Sequence, residues 1–475
     1  MKTTKKGLLL LLGALAMTGV SCENFLKEEP YDFVSTDNFY RSEADAVTAL
    51  NGVFNLMQNG LYYARTFWIL SELTGDLMKV GNPQAGRPDL DELTYTSTNP
   101  EVANWWTYSY LMVNRANDVI ANTPSISMDA ARRANIEGNA RFLRALAYFD
   151  LVRSYGDVPL LTKPTGADGN LRPARTPIKD VYKQIVDDLT FAEANCLPEN
   201  KITAAEKGRV SSGAAASLLA KVYLTRAASS AAEATDTQSA LDATNRVINS
   251  KIYSLVPYAN VFDVATENGP EHIFSVQFDL PPNAGNITAR MHLPASLDGN
   301  QAFYVEEWFY NSFAPADTIR KNWTMTKKAG SQTLANAYYV KFRDPLRQGN
   351  NARNNTLILR YADVLLMQSE AMNQLNPANA GKFDGINAVR TRAGISKLSL
   401  TTTPSKEDFI TALVDERGWE FSAEGIRRFD LLRLGRYKEV QKRVYNRTVD
   451  DKYLLYPIPQ TEITLNPNLT QNPGF

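Results

Sequence analysis

The sequence predicts a mainly α-helical protein: degenerate tetratricopeptide-like helix pairs, an α/α superhelix, supporting a loop-rich half with a few short strands. Three observations point there. Apolar residues recur at helical spacing along most of the chain, and the resulting helices come in pairs joined by short loops. Small residues such as Ala214, Ala216 and Ala220 stand where one helix would let a neighbour approach closely. The stretch 279–355, by contrast, is rich in Asn, Gly, Pro and aromatics and reads as long loops laid on a helical base. No strict ~34-residue period is present, so the repeat is degenerate.

The N-terminus is a separate element. Lys2, Lys5 and Lys6 precede an apolar run from Leu8 to Met17. That is the pattern of a secretory signal, and the run is too short to span a bilayer, which needs about 20 residues. Cys22 directly follows Gly19-Val20-Ser21, a segment that resembles a bacterial lipobox with Gly19 where Leu is usual. Residues 1–21 are therefore expected to be a lipoprotein signal peptide, and Cys22 the acylated first residue of the mature chain. The remainder, 22–475, is expected to be one domain: a tether and N-terminal segment at 22–41, a variable ligand-loop region at 279–355 and an extended C-terminal segment at 438–475.

Helices are then expected at 42–58, with Ser42 as N-cap, at 105–122, and at 132–156, stopped by Gly156. The next runs over 176–194, with Thr176 as cap and Pro177 at the first helical position. Others follow at 211–228, 237–250, 359–375, 383–394, 406–421 and 424–437. Strand signals are fewer: HIFSVQF (272–278) alternates, and DELTYT (91–96) does so weakly. Pro457, Pro459, Pro467 and Pro473 forbid a continuous helix at the C-terminus, while Leu454, Leu455 and Ile458 are too apolar for a free tail.

Composition excludes several classes of function. The chain has 51 basic and 51 acidic side chains, and loss of residues 1–21 removes three lysines, so nothing favours a nucleic-acid partner. With Cys22 acylated, Cys196 is the one thiol left and no intrachain disulfide can form. The two histidines, His272 and His292, fit no metal or triad spacing, and no HExxH, GxSxG or P-loop pattern occurs. The protein is not expected to be an enzyme, and no cofactor or metal is expected.

Seven stretches in order resemble the SusD-like (RagB/SusD) family of outer-membrane nutrient-binding lipoproteins. They are CENFLKEEP with the following SEADAVTALNG, EGNARFLRALAYFDLVRSYGDVPLLT (137–162), GRVSSGAAASLLAKVYL (208–224), the segment 247–278, LRYADVLLMQSEAMNQLN (359–376), ERGWEFSAEGIRRFDLLRLGR (416–436) and PIPQTEITLNPNLTQNPGF. The resemblance implies four degenerate helix pairs and a lipid anchor, through acylated Cys22, on the outer face of the outer membrane. It implies a SusC-like TonB-dependent transporter as partner, to which the protein passes an oligosaccharide or polysaccharide while acting as its lid. The carboxylates Glu23, Glu28 and Glu29 fit the surface-export signal of such lipoproteins. Peptide or other non-glycan cargo, or a protein-interaction scaffold with no ligand of its own, are the alternatives.

A pyranose offers one apolar C–H face and a rim of hydroxyls, so loop aromatics beside Asp, Asn, Gln or Arg are the residues to seek. Trp105 and Trp106, beside Asn104, stand about 100° apart on a helix, one expected in the core and the other facing a ligand. Tyr304, Trp308, Tyr310 and Trp323 lie in the variable loops, and Asp76 and Arg87 are candidates for rim contacts. Trp419, by contrast, is read as part of a helical packing motif.

Overall fold

The computed structural model describes residues 39–84, 86–167 and 169–475, and Ser42–Phe475 forms one compact body. The signal peptide, Cys22 and the carboxylates Glu23, Glu28 and Glu29 lie outside the described residues.

Helix α1 (Glu43–Met57) starts as expected: Ser42 Oγ accepts from the Asp45 N–H, and the Asp45 carboxylate accepts from the Ser42 N–H at 2.8 Å. Helix α2 (Pro100–Asn122) starts five residues before the expected boundary, because the Asn99 side chain caps the Glu101 and Val102 amides and Pro100 occupies the first turn. Helix α3 (Ala130–Tyr155) ends at Gly156, whose φ of +76° suits a residue without Cβ. Helix α4 (Ile178–Asn195) corrects the expected cap. Pro177, not Thr176, stands at the cap position, and the Asp157 carboxylate accepts the Ile178 amide at 2.8 Å. Thr176 is drawn into a bridge with Val158 instead.

Helices α5 (Ser212–Ala227), α6 (Asp236–Asn249), α7 (Tyr361–Leu375) and α8 (Phe383–Ala393) complete four helix pairs among the described residues. From α3 onward each helix packs on the next, α6 onto α7 included, although more than a hundred residues of chain separate those two. Ala214, Ala216 and Ala220 are buried, as close helix approach requires. Helix α9 (Lys406–Phe421) then closes the stack: Phe409, Leu413 and Phe421 join Leu366, Phe383, Ile386 and Val389 in one apolar core. The single helix expected at 424–437 is two, α10 (Arg427–Arg433) and α11 (Tyr437–Tyr445). Gly425 (φ +79°) sits 2.3 Å, measured from an added Cβ, from the Phe67 ring, and Gly435 (φ +69°) makes the second break.

The long connection between α6 and α7 is not mere loop. Strand β2 (His272–Val276) pairs antiparallel with β6 (Thr356–Arg360), and β4 (Met325–Ala329) with β5 (Gln332–Tyr339). Strand β1 (Met78–Val80), from the α1–α2 connection, pairs with β3 (Phe303–Val305). The DELTYT segment does not extend: Asp91 and Glu92 finish a short helix, Arg87–Glu92, and Leu93 turns left-handed at φ 54°. The C-terminal segment is extended only in part, because 438–445 belong to α11 and Gln460–Leu465 forms a further short helix. Between them the Tyr456 amide donates to Ser154 O at 2.7 Å, and the Tyr456 hydroxyl to Leu70 O at 2.7 Å, which straps the chain across the body.

A buried ion network joins the loop-rich half to the stack. Arg360 reaches Glu424 (2.8 Å), Glu420 (2.6 Å) and Glu271 (2.9 Å). Arg320 pairs with Glu416 (2.6 Å) and Asp317, Lys341 with Glu424 (2.6 Å), Arg390 with Glu416 (2.7 Å), and Arg392 with Glu271 (3.2 Å) and Glu420. Five cations meet five carboxylates, so the network is neutral as a whole. The surrounding guanidinium groups outweigh burial at Glu420 and hold its carboxyl well below the usual range.

Candidate functional site

The β1–β3 pair leads directly into the short helix that carries Trp308. Register sets Met78 opposite Val305, Lys79 opposite Tyr304 and Val80 opposite Phe303. Met78, Phe303 and Val305 are buried, so period-two alternation leaves Lys79 and Tyr304 half-exposed on the other side. Asp91 accepts the Val80 amide at 2.8 Å, and burial pushes its carboxyl up to about 6. Immediately after β3, a short helix, Glu307–Ser312, carries Trp308 and Tyr310.

Trp308 is half-buried at the mouth of a cavity of about 310 Å³, also lined by Phe309, Asp415, Trp419, Arg427 and Arg443. Its indole N–H donates to the Asp76 carbonyl at 2.7 Å, and the Arg443 guanidinium lies 5.4 Å from its ring centroid. The Trp419 indole donates to Ser312 Oγ at 3.0 Å, which ties α9 to the Trp308 helix. Burial raises the Asp415 carboxyl. Tyr310 lies under two ammonium groups, Lys321 at 4.5 Å and Lys327 at 5.0 Å. Aromatic rings with charged neighbours at a solvent-open hollow can stack on an apolar ligand face and hydrogen-bond its rim.

The other expected site residues are placed differently. Trp105 is in the core, 1% exposed, its ring 4.8 Å from Tyr62 and 5.4 Å from Tyr63. Asp76 is buried and held by Arg427 at 2.6 and 2.9 Å. Arg87 is buried with its guanidinium 5.4 Å from the Phe303 ring. None of the three stands at a rim: Trp105 and Asp76 lie in stretches drawn into the core, whereas at Arg87 the side chain alone turns inward from a partly exposed turn. Trp323 is half-buried, with Arg343 4.1 Å over its ring and the Tyr258–Phe262 cluster against it. Asn104 is half-exposed on α2.

Trp106 does not project freely; it is 3% exposed and packed on Tyr110 (4.9 Å) and Tyr155 (5.0 Å). Its edge lines a second cavity of about 480 Å³ with Leu111, Leu171, Leu465 and Leu469. The amides and hydroxyls there are largely used within the protein. Tyr110 donates to Pro159 O (2.8 Å), Asn466 to Pro173 O (2.8 Å), and Asn114 Oδ1 accepts from the Thr165 amide (2.9 Å) and hydroxyl (2.6 Å). Thr107, Arg172 and Glu462 also line this cleft, so both clefts carry polar groups, and the Trp308 cleft is the one that sets two indoles side by side.

Trp419 packs as expected, against Phe313 and Ser312, and also lines the hollow, which the sequence reading did not anticipate. A signal was present: Asp415 and Trp419 are four apart on α9, on the flank opposite the buried Leu413, Glu416 and Glu420, so they share one face. Neither histidine faces this site. His272 is held by the Gly269 amide (3.0 Å) and Val261 O (2.8 Å), and His292, stacked on Trp68, is pushed down to about 3 by burial. Among the described residues no three His, Cys, Asp or Glu side chains converge as a metal site would require, and no helix is long and apolar enough to cross a membrane.

Comparison with known proteins agrees with this architecture. The model of the SusD family matches residues 297–475, and that of starch-binding proteins associating with the outer membrane matches 24–224. The chain belongs to the SusD/RagB family. SusD-like protein P2 of Formosa agariphila is 26% identical over 97% of this chain and 98% of its own length. The starch-binding protein SusD of Bacteroides thetaiotaomicron is 31% identical over 25% of this chain and 21% of its own. A SusD superfamily protein from Parabacteroides distasonis superposes with a TM-score of 0.82 at 27% identity, covering 91% of this chain and 99% of that one. A laminarin-binding SusD-like protein superposes at 0.77 and 25% identity, covering 92% and 100%. SusD proteins are non-catalytic binding proteins with a tetratricopeptide-like helical fold, as the helix pairs here show, and the family is associated with the outer membrane.

Proposed function

We propose that this SusD-like protein captures oligosaccharides at the face formed by Tyr304, Trp308, Tyr310 and Trp419. It hands them to a SusC-like TonB-dependent transporter, over which it forms a lid, while acylated Cys22 ties it to the outer membrane. The observation that carries this reading is the Trp308–Trp419 cleft: two indoles, each anchored through its N–H, beside Asp415 and Arg443 in a hollow of about 310 Å³. That volume falls at the lower end of the ~300–1,000 Å³ usual for small-ligand sites, which suits one end or one short stretch of a glycan. The laminarin-binding and starch-binding relatives support a saccharide ligand.

If each ring contact contributes about 1 kcal/mol and each of a few hydrogen bonds about the same, binding falls in the millimolar to high-micromolar range. Weak capture allows release to a transporter. The test is native electrophoresis through gels containing a broad panel of polysaccharides. Retardation by one class, lost in Trp308→Ala, supports the reading; mobility unchanged by every glycan sinks it. The Trp106 cleft favours a protein contact instead, because Leu171 and Leu465, 71% and 69% exposed, give it an apolar surface.

A further inference from the structure

We infer that the Trp308–Tyr310 face selects acidic saccharides, those bearing uronate carboxylates or sulfate esters, over neutral ones. The inference rests on the saccharide reading of this face and names the class of sugar it takes. Its basis is the distribution of charge about the two rings.

Each ring already has a cation on it. Lys321 and Lys327 lie over Tyr310, and Arg443 over Trp308. A neutral pyranose stacking there would displace a favourable ring–cation contact and bring no charge in exchange. An acidic pyranose brings an anion to the cation while its C–H face meets the ring.

The carboxylates that could neutralise these cations are either committed or drawn inward. Glu307 is spent on Lys327 at 2.9 Å, and Asp76 on Arg427. Glu306 accepts from the Tyr445 hydroxyl at 3.1 Å, and burial raises its carboxyl despite Lys79 nearby. Asp415 is likewise raised by burial, and although it feels Arg443 it forms no ion pair with it. Among the described residues, then, Lys321 and Arg443 have no ion-paired carboxylate, and Arg443 is exposed. Arg443 stands exposed and Lys321 half-buried, while Glu307, itself exposed, is held by Lys327. That arrangement favours an anion even where the count of charges nearly balances, because a cation with no paired carboxylate acts on a ligand at short range, while the carboxylates nearby are turned inward or already paired.

The experiment is calorimetric titration of the full-length chain with an oligogalacturonate, an oligomannuronate and a sulfated galacto-oligosaccharide. Each is run beside its neutral counterpart, methyl-esterified or unsulfated, at about 20 and about 500 mM NaCl. An acidic member is expected to bind about tenfold more tightly than its neutral form at low salt, with most of that margin gone at high salt. Lys321→Gln and Arg443→Gln should each weaken the acidic ligand severalfold and shrink its margin over the neutral form, a change of selectivity that loss of folding would not produce. Preference for the sulfated ligand alone, or for a uronate alone, supports the inference and assigns the anion. Neutral forms binding as tightly as acidic ones, without salt dependence, overturn it and leave the saccharide reading standing. Binding of no saccharide overturns both.

Discussion

The helix stack and the loop-rich half that joins α6 to α7 are held together by different physics. In the stack, long helices bury continuous apolar faces; Leu366, Ile386, Val389 and Leu413 are each essentially inaccessible, and each contributes on the order of 2 kcal/mol. The loop-rich half has short strands in pairs and short helices, too little for a deep apolar core of its own. Its attachment depends on charge: Glu271, Arg320, Lys341 and Arg360 from this half meet Arg392, Glu416, Glu420 and Glu424. Apolar contact tolerates sliding and repacking, whereas ion pairs fix orientation, and the half that carries the ligand face is the one that must be oriented.

The comparison is most severely tested at Glu420. Glu420→Ala leaves Arg360 and Arg392 buried with fewer partners and should cost about 3–5 kcal/mol in denaturant unfolding. Amide exchange should quicken first in β2 and β6, and equal loosening of α3 and α4 would erase the distinction between the two regions. Trp105→Ala, a cavity beneath Tyr62 and Tyr63, should also cost about 3–5 kcal/mol. Saccharide affinity per folded molecule should nonetheless stay as in the parent, measured by calorimetry below the melting temperature.

Titration separates the regions more gently. In the loop-rich half, burial raises Glu267 from 4.5 to about 8. The folded state therefore binds this proton more tightly than the unfolded chain, and stability falls as pH rises from about 4.5 to 8. Glu267→Gln, which keeps an acceptor for the Asn355 amide, should flatten that decline in thermal scans from pH 5 to 9. Glu420 and, within the stack, Asp363 are shifted the other way, by Arg and Lys partners, so their contribution is present above the usual carboxylate range and is lost as pH falls through and below it. The smallest effect on stability is expected from Trp308→Ala: under about 1 kcal/mol, since the ring is half-exposed, but a five- to tenfold loss of saccharide affinity if one ring contact is worth ~1 kcal/mol. A large stability loss there would make Trp308 a structural residue like Trp105.

The helices were legible because their signals are local. Ser42 and Ser405 precede Asp at the third helical position, and both form reciprocal caps. Gly156 and Gly394 stand where helices stop with positive φ. The misreadings had two origins. Asp157 took the capping role expected of Thr176 because it lies beside the Ile178 amide; the split of the helix expected at 424–437 is by contrast local, at Gly435 with φ +69°. Site residues were less legible than helices. Trp105 and Trp308 are the same residue type in similar polar surroundings, yet one is covered by Tyr62 and Tyr63 and the other stands open.

By itself, then, the sequence determined the fold class, the helix pairs, the absence of catalytic spacing and the family, because periodicity, caps and motif order are written within short stretches of chain. Only the tertiary structure decided which aromatics border the hollow beside α9, that Trp419 joins Trp308 there, and that cations lie on the rings. Those facts depend on which surfaces meet when α9, α11 and the β3 segment converge, and contact between segments this far apart follows from the packing of the whole body.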